Sequence, residues 1–123
     1  MTGAFDAATL AMLAESDESA IVVPRATGRA PAVPIWVVVD GGAVYVRSVR
    51  GEQGRWYRAL RAHPDAAIQV AGRHLPVRAE PVADAETIAR VDEAYRAKYG
   101  GSPYLPPLFN EDARRCTVRL VPR

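Results

Sequence analysis

The 123-residue sequence predicts a mainly β fold with flanking helices: six mostly antiparallel strands in a small closed or partly closed barrel. Three observations lead there. The hydrophobic patterns follow the order α-β-β-β-α-β-β-α-β. Glycine-bearing turns join alternating apolar segments as hairpins. The length suits a single domain over residues 1–123, and no repeat or linker interrupts it.

Each element has a local reason. FDAATLAMLAES reads as an opening helix, with Asp6 as N-cap and Phe5 placed to staple onto Leu10. ESAIVVPRA, about residues 18–25, is a first strand, and TGRAP turns the chain. VPIWVVVD, about 33–40, is the strongest strand signal; Gly41-Gly42 then turns it into the antiparallel AVYVRSV. Trp56, Ala59, Leu60 and His63 fall at helical spacing, giving a short helix over 54–63 that stops at Pro64-Asp65. AAIQVAG and HLPVRAEPV flank a turn at Gly72-Arg73. Asp84 caps a helix whose Ile88, Val91, Tyr95 and Tyr99 share one face. GGSPYLPPLFNED is an irregular, proline-rich connection, and CTVRLVPR closes the chain as a strand.

One strand is unusual. In VPIWVVVD, Val33, Ile35, Val37 and Val39 lie on one face, and Trp36 and Val38 on the other. An antiparallel strand with a solvated face alternates apolar and polar residues, so both faces of this one must be covered. A helix, a second subunit or a flat ring ligand would each serve.

The bulk composition excludes several classes. Hydrophobic residues make up 49% and charged ones 24%, a globular rather than disordered balance. A net charge of +2 is too small to imply nucleic acid, and outside 45–64 the basic residues are scattered among acids such as Glu80, Asp92 and Glu93. The single cysteine, Cys116, forbids an intrachain disulfide, fits a reducing compartment, and sits among strand residues as a small buried hydrophobe. No apolar run reaches membrane-spanning length, and the N-terminus lacks the pattern of a signal peptide. The expectation is a cytoplasmic protein that engages neither membrane nor nucleic acid.

The chemistry concentrates in YVRSVRGEQGRWYRALRAHP, residues 45–64. Arg47, Arg50, Arg55 and Arg58 crowd the seam between a strand and a helix, with Gly51 and Gly54 between them. Glycines let a ligand approach the backbone, a helix N-terminus exposes unpaired N–H groups, and guanidinium forks suit phosphate oxygens. The stretch has neither the GK[ST] of a P-loop nor the GxGxxG spacing. Sequence pattern alone leaves two readings of these arginines open, a phosphate cradle and a solvated surface; Arg61 reads as solvated and Trp56 as core. His63 and His74 lack a partner at metal spacing, and Ser48 lacks a GxSxG elbow. With no acid–base pair in view, no catalytic side chain is assigned, and an enzyme built on this chain would take its chemistry from a cofactor.

Residues 25–82 resemble the heart of the flavin- and deazaflavin-binding split β-barrels, which include pyridoxamine-phosphate-oxidase-like proteins and deazaflavin-dependent nitroreductases. The resemblance rests on Gly28-Arg29, Pro34-Ile35-Trp36, the Gly41-Gly42 hairpin, Arg47-Ser48, and the helix running from Trp56 through Leu60 to Pro64. It implies a six-stranded antiparallel split β-barrel of the FMN-binding type. It also implies a homodimer that holds FMN or a deazaflavin coenzyme in a groove at or near the dimer interface. By residue, Arg47, Ser48 and Val49 would meet the phosphate or ribityl region. Arg50, Gly51, Arg55 and Arg58 would complete the phosphate clamp, and Pro34, Ile35 and Trp36 would follow the isoalloxazine edge. Tyr95, Tyr99 and Tyr104 match tyrosines of the substrate side, with plain core packing the favoured reading of Tyr95. GGSPYLPPLF would lie over the pocket as a flexible lid. Where relatives often carry a lysine at the clamp, this chain has arginine, which keeps the charge and changes the donor geometry. The implied activity is hydride transfer to a small conjugated or aromatic substrate. The alternative is a non-catalytic module holding a lipid, a haem-like ring or a flavin in the same groove.

Overall fold

The computed structural model describes residues 4–24, 28 and 30–123; Arg25 at the end of the first predicted strand and Arg29 of the Gly28-Arg29 turn lie outside them. Seven strands form one antiparallel sheet: β1 (Ser19–Val22), β2 (Ala32–Ile35), β3 (Val38–Asp40), β4 (Ala43–Arg47), β5 (Asp65–Val70), β6 (Arg73–Pro81) and β7 (Thr117–Pro122). Their order across the sheet is β2-β1-β5-β6-β7-β4-β3. Among the described residues, four helices accompany it: α1 (Ala7–Glu15), α2 (Arg55–Ala62), α3 (Ala85–Tyr99) and α4 (Glu111–Arg115). None of them is long and apolar enough to cross a membrane.

The mainly β reading with flanking helices holds, and the count of six strands does not. The segment expected as one strand over 33–40 breaks at Trp36-Val37, and its halves become the two edges of the sheet. Edge strands only two residues apart in the chain force the sheet to roll until its edges converge. The sheet therefore curls like a barrel without closing into one. Side-chain alternation runs unbroken through the break, so period-2 patterning could not reveal it.

Two hydrophobic cores, one on each side of the sheet, account for the doubly apolar segment. The larger lies within the curl, where Ile35, Val37, Val44, Val46, Ile68 and Leu120 meet Leu13 of α1 and Leu60 of α2. The smaller lies outside, where Val38 and Tyr45 are covered by Val91, Tyr95 and Tyr99 of α3 and by Leu105 and Leu108. A helix therefore covers the second face. All of β4, sandwiched between the cores, is buried.

The caps follow the sequence. Asp6 accepts from Thr9 N at 2.7 Å and Asp84 from Thr87 N at 2.9 Å, and these bonds hold both carboxyls below the usual carboxylate range. Three local details differ from expectation. The β5–β6 turn is Ala71-Gly72 rather than Gly72-Arg73, with both residues at positive φ (49° and 76°) as a two-residue hairpin of this twist requires. In α2 the buried positions are Tyr57 and Leu60, while His63 is exposed beyond the helix end. The proline-rich connection contains a 3₁₀ turn, Pro106–Phe109, and then α4, capped by Asn110 accepting from Ala113 N at 2.8 Å.

Candidate functional site

The seam between β4 and α2 is built by its small residues. Ser48 is buried and its Oγ donates to the Gly51 carbonyl at 2.8 Å, closing the turn from inside. Gly51 takes φ +59°, and a Cβ there would sit 2.7 Å from Cβ of Asp112 on α4. A Cβ on Gly54 would lie 2.3 Å from Ser48 Oγ. Gly54 caps α2 without a side-chain hydrogen bond, and its carbonyl receives Arg58 N at 3.0 Å. The first amides of α2 are thus left without side-chain acceptors, where a negative group is favoured.

Arg47 faces the other way. Its guanidinium is buried and donates to Thr117 Oγ1 (2.8 Å), the Ile88 carbonyl (2.8 Å), the Leu108 carbonyl (3.2 Å) and Asp92 Oδ1 (2.5 Å). Four of its roughly five N–H directions are spent within the protein. Tyr95 lies against it, 5.6 Å from ring centroid to guanidinium carbon. Asp92 is shared with Arg114, whose Nε stands 3.3 Å from Oδ2 in charge contact without hydrogen-bond alignment. Arg47 therefore ties β4 to α3, to β7 and to the 106–109 turn.

A cleft of about 670 Å³ opens between this seam and the free edge of β2. One wall is Val33, Pro34, Ile35 and Trp36. The opposite wall is the β4 end, Arg47 to Arg50, with Gly54, Arg55 and Trp56 at the start of α2. Tyr104, Pro107 and Leu108 form the roof. Among the described residues, no aspartate, glutamate, histidine, cysteine or methionine lines it. Arg50 and Arg55 are exposed at one end, and Val49 and Tyr104, 53% and 75% exposed, are the large hydrophobic side chains left open to solvent among the described residues. The cleft can hold an anionic head on a flat apolar body.

A family model described as "Uncharacterized protein conserved in bacteria (DUF2255)" matches residues 9–120. This chain belongs to the DUF2255 family. None of the curated proteins matches it. Among solved structures, the DUF2255 chain is similar to HutZ, the haem storage protein from Vibrio cholerae, with 16% identity, TM-score 0.71, and 98% of this chain and 92% of that one covered. It is also similar to an FAD-binding protein from Mesorhizobium loti, with 17% identity, TM-score 0.67, and coverage of 100% and 94%. A third similar structure is an F420-H2-dependent reductase, with 19% identity, TM-score 0.59, and coverage of 85% and 93%. The resemblance to the flavin and deazaflavin split-barrel superfamily thus holds for the fold.

Of the residues singled out in the DUF2255 sequence, Pro34, Ile35, Trp36, Arg47, Ser48, Val49, Arg50, Arg55 and Tyr104 come together around one cleft. Gly51, Arg58 and Tyr99 do not line it. Gly51 packs against α4, Arg58 is exposed along α2, and Tyr99 stacks behind Trp36 with centroids 4.2 Å apart. Arg47 and Ser48 reach the cleft with their polar atoms already bonded within the fold. Trp56, read as core, is half-buried: it packs on the inner core and also lines the cleft. Its position beside Gly54 and Arg55 was the signal for that second role. Gly54, named in the sequence as a glycine of the possible cradle, does line the cleft. Val33, Pro107 and Leu108 were not proposed as site residues; the last two belong to the segment expected as a lid, which the 3₁₀ turn brings over the cleft. Cys116 is buried with its thiol pushed up by desolvation, beside Tyr57, and takes no part.

Proposed function

We propose that the cleft binds a phosphorylated flat ring, FMN or a deazaflavin coenzyme, and that the chain is an oxidoreductase acting on a small conjugated or aromatic substrate. The observation that carries this reading is the composition of the cleft: arginines at one end, aromatic and aliphatic walls elsewhere, and no carboxylate among the described residues that line it. Such a lining suits a ligand with a negative head and an apolar body. Arg50, Arg55 and the open amides of α2 would take the phosphate. Pro34, Ile35, Trp36 and Trp56 would flank the ring, and Val49, Pro107 and Leu108 would keep water from it. The bound ring would supply the redox chemistry, because the described residues lining the cleft offer no acid–base pair. Tyr104 would face the substrate, and Arg58 would add only long-range positive charge. A second copy of the chain would close the open side, and a cytoplasmic location would suit such an enzyme.

Titration with FMN and with the deazaflavin coenzyme tests the proposal. Saturable changes in ring absorbance and a raised melting temperature are expected for one of them. If neither produces a spectral or thermal shift, the oxidoreductase reading is abandoned. Light scattering in solution tests the dimer.

A second reading, a non-catalytic haem binder, has one specific observation in its favour. A second cleft of about 650 Å³ shares Pro34, Ile35 and Trp36 with the first and carries His74 and Arg73. Among the described residues the first cleft carries no histidine, cysteine or methionine, so iron would be ligated by His74 of the second cleft or by Tyr104 of the first. Haem absorbance that shifts on binding and is lost in His74→Ala would favour this reading over the first.

A further inference from the structure

Helix α3 grips the Trp36-Val37 break with three neighbouring side chains. Tyr95 Oη donates to the Trp36 carbonyl at 2.7 Å. Lys98 Nζ donates to the Val37 carbonyl at 2.6 Å and to the Leu13 carbonyl, near the end of α1, at 2.9 Å. The Tyr99 ring stacks on Trp36 at 4.2 Å with 9° between the planes. Positions i, i+3 and i+4 put the three on one side of the helix. None of the three lines the cleft, yet all hold the backbone or the ring that forms its wall.

The break explains why such holding is needed. Where β2 ends and β3 begins, these carbonyls find side-chain donors on α3 rather than partners in the ladder, and a buried carbonyl left unpaired is costly. Trp36 walls the clefts of about 670 and 650 Å³ alike. Lys98 is half-buried, and among the described residues it makes no salt bridge; its ammonium meets two carbonyls and stands 5.1 Å from the Tyr99 ring centroid. An apolar chain of the same length would fill that space without desolvating a charge. What the ammonium adds is a fixed joint between α1, the strand break and α3.

We propose that Tyr95, Lys98 and Tyr99 are positioning residues that clamp Trp36 as the wall of the ligand cleft, and that Lys98 sets ligand affinity without touching the ligand. A wall ordered in advance spares the ligand the entropic cost of ordering it on binding. The affinity part rests on the ring-binding reading of the cleft, whereas the clamped state of Trp36 does not.

The test uses the full chain, Lys98→Met and Lys98→Arg, with FMN as the probe. The near-UV circular dichroism of Trp36 is taken as the difference between each protein and its Trp36→Phe counterpart. Lys98→Met keeps the apolar stem and is expected to lose most of the Trp36 signal and to weaken FMN binding up to about tenfold, the most that ordering one side chain on binding costs. Lys98→Arg, which can still reach two carbonyls, is expected to restore both. A melting temperature that falls while the Trp36 signal and FMN affinity stay parental would mark Lys98 as structural only and overturn the proposal. If the parent protein does not bind FMN, the ring-binding reading fails on its own. The clamp then stands or falls with the Trp36 signal, and its retention in Lys98→Met overturns it. Should Lys98→Met fail to fold, Lys98→Leu is measured in the same way, with the same outcomes deciding.

Discussion

Arg47 and Asp92 form an ion pair inside the protein: Nη1 stands 2.5 Å from Oδ1, with the arginine side chain wholly buried and the aspartate side chain 13% exposed. Taking one charge away strands the other, which costs about 3–5 kcal/mol for a buried pair. Asp92→Leu is the harsher change, because Arg114 loses the same carboxylate. Each single variant, Arg47→Met or Asp92→Leu, is expected to unfold at much lower urea concentration than the parent. The double variant is expected to be more stable than the sum of the two losses allows. Strictly additive losses would show that the pair is not coupled.

Arg50 and Arg55 carry the opposite expectation, since both are exposed and flank the cleft. Replacing both with alanine should leave stability within about 0.5 kcal/mol of the parent, as is usual for surface positions. FMN affinity should fall at least tenfold, because a hydrogen bond to a charged group contributes about 1.5–3 kcal/mol. Parental binding of FMN should weaken as salt rises, and the double variant should lose most of that dependence. Arg58→Ala, outside the cleft, is the control and should bind nearly as the parent does. Unchanged affinity in the double variant would remove the phosphate role from these two arginines.

How much of this was legible in the sequence differs residue by residue. The Gly41-Gly42 hairpin and the caps at Asp6 and Asp84 were readable because turn and cap chemistry is local. The break at Trp36-Val37 was not, because the convergence of sheet edges imposes it and both halves keep the same alternation. Arg47 shares a side of β4 with Tyr45, two residues earlier, and both meet α3. What meets it there is Asp92, 45 residues further along, and no spacing rule links the two. The arginine thus read as a ligand contact while the fold uses it as an internal tie. The two-sided burial of VPIWVVVD was legible as a demand for cover, and only packing shows that Val91, Tyr95 and Tyr99 of α3 supply it.

The Ala71-Gly72 turn offers a stabilising change. Ala71 holds φ +49°, a region that costs a residue with a Cβ about 1–2 kcal/mol, and asparagine tolerates it far better. Asn-Gly is also the favoured pair for a two-residue turn of this hand. Ala71→Asn is therefore expected to raise the melting temperature by a few degrees, about 1 kcal/mol at this chain length. Gly72→Ala, which places a Cβ at φ +76°, should lower it by a similar amount. A melting temperature unchanged in both variants would mean that the hairpin opens before the transition that the melt reports.

Alkaline stability follows from the tyrosines behind Trp36. Burial pushes Tyr99 up to about 12 and Tyr95 higher still, against about 10 for a tyrosine in the unfolded chain. A group whose pKa is raised on folding contributes stability that is complete below the unfolded value and is lost as pH climbs through the folded one. For Tyr99 that window runs from about 10 to about 12. Lys98 acts in the opposite sense: burial lowers its pKa, so its penalty is relieved as pH rises toward the ordinary lysine range. Two buried phenols outweigh one half-buried ammonium, and the net effect above pH of about 10 is loss of the fold. In an alkaline titration, tyrosinate absorbance from Tyr95 and Tyr99 should therefore appear in one cooperative step, together with loss of the near-UV signal of Trp36. If all five tyrosines ionised gradually around pH 10 with that signal intact, the packing of α3 against the strand break would have to be looser than the 4.2 Å stack implies.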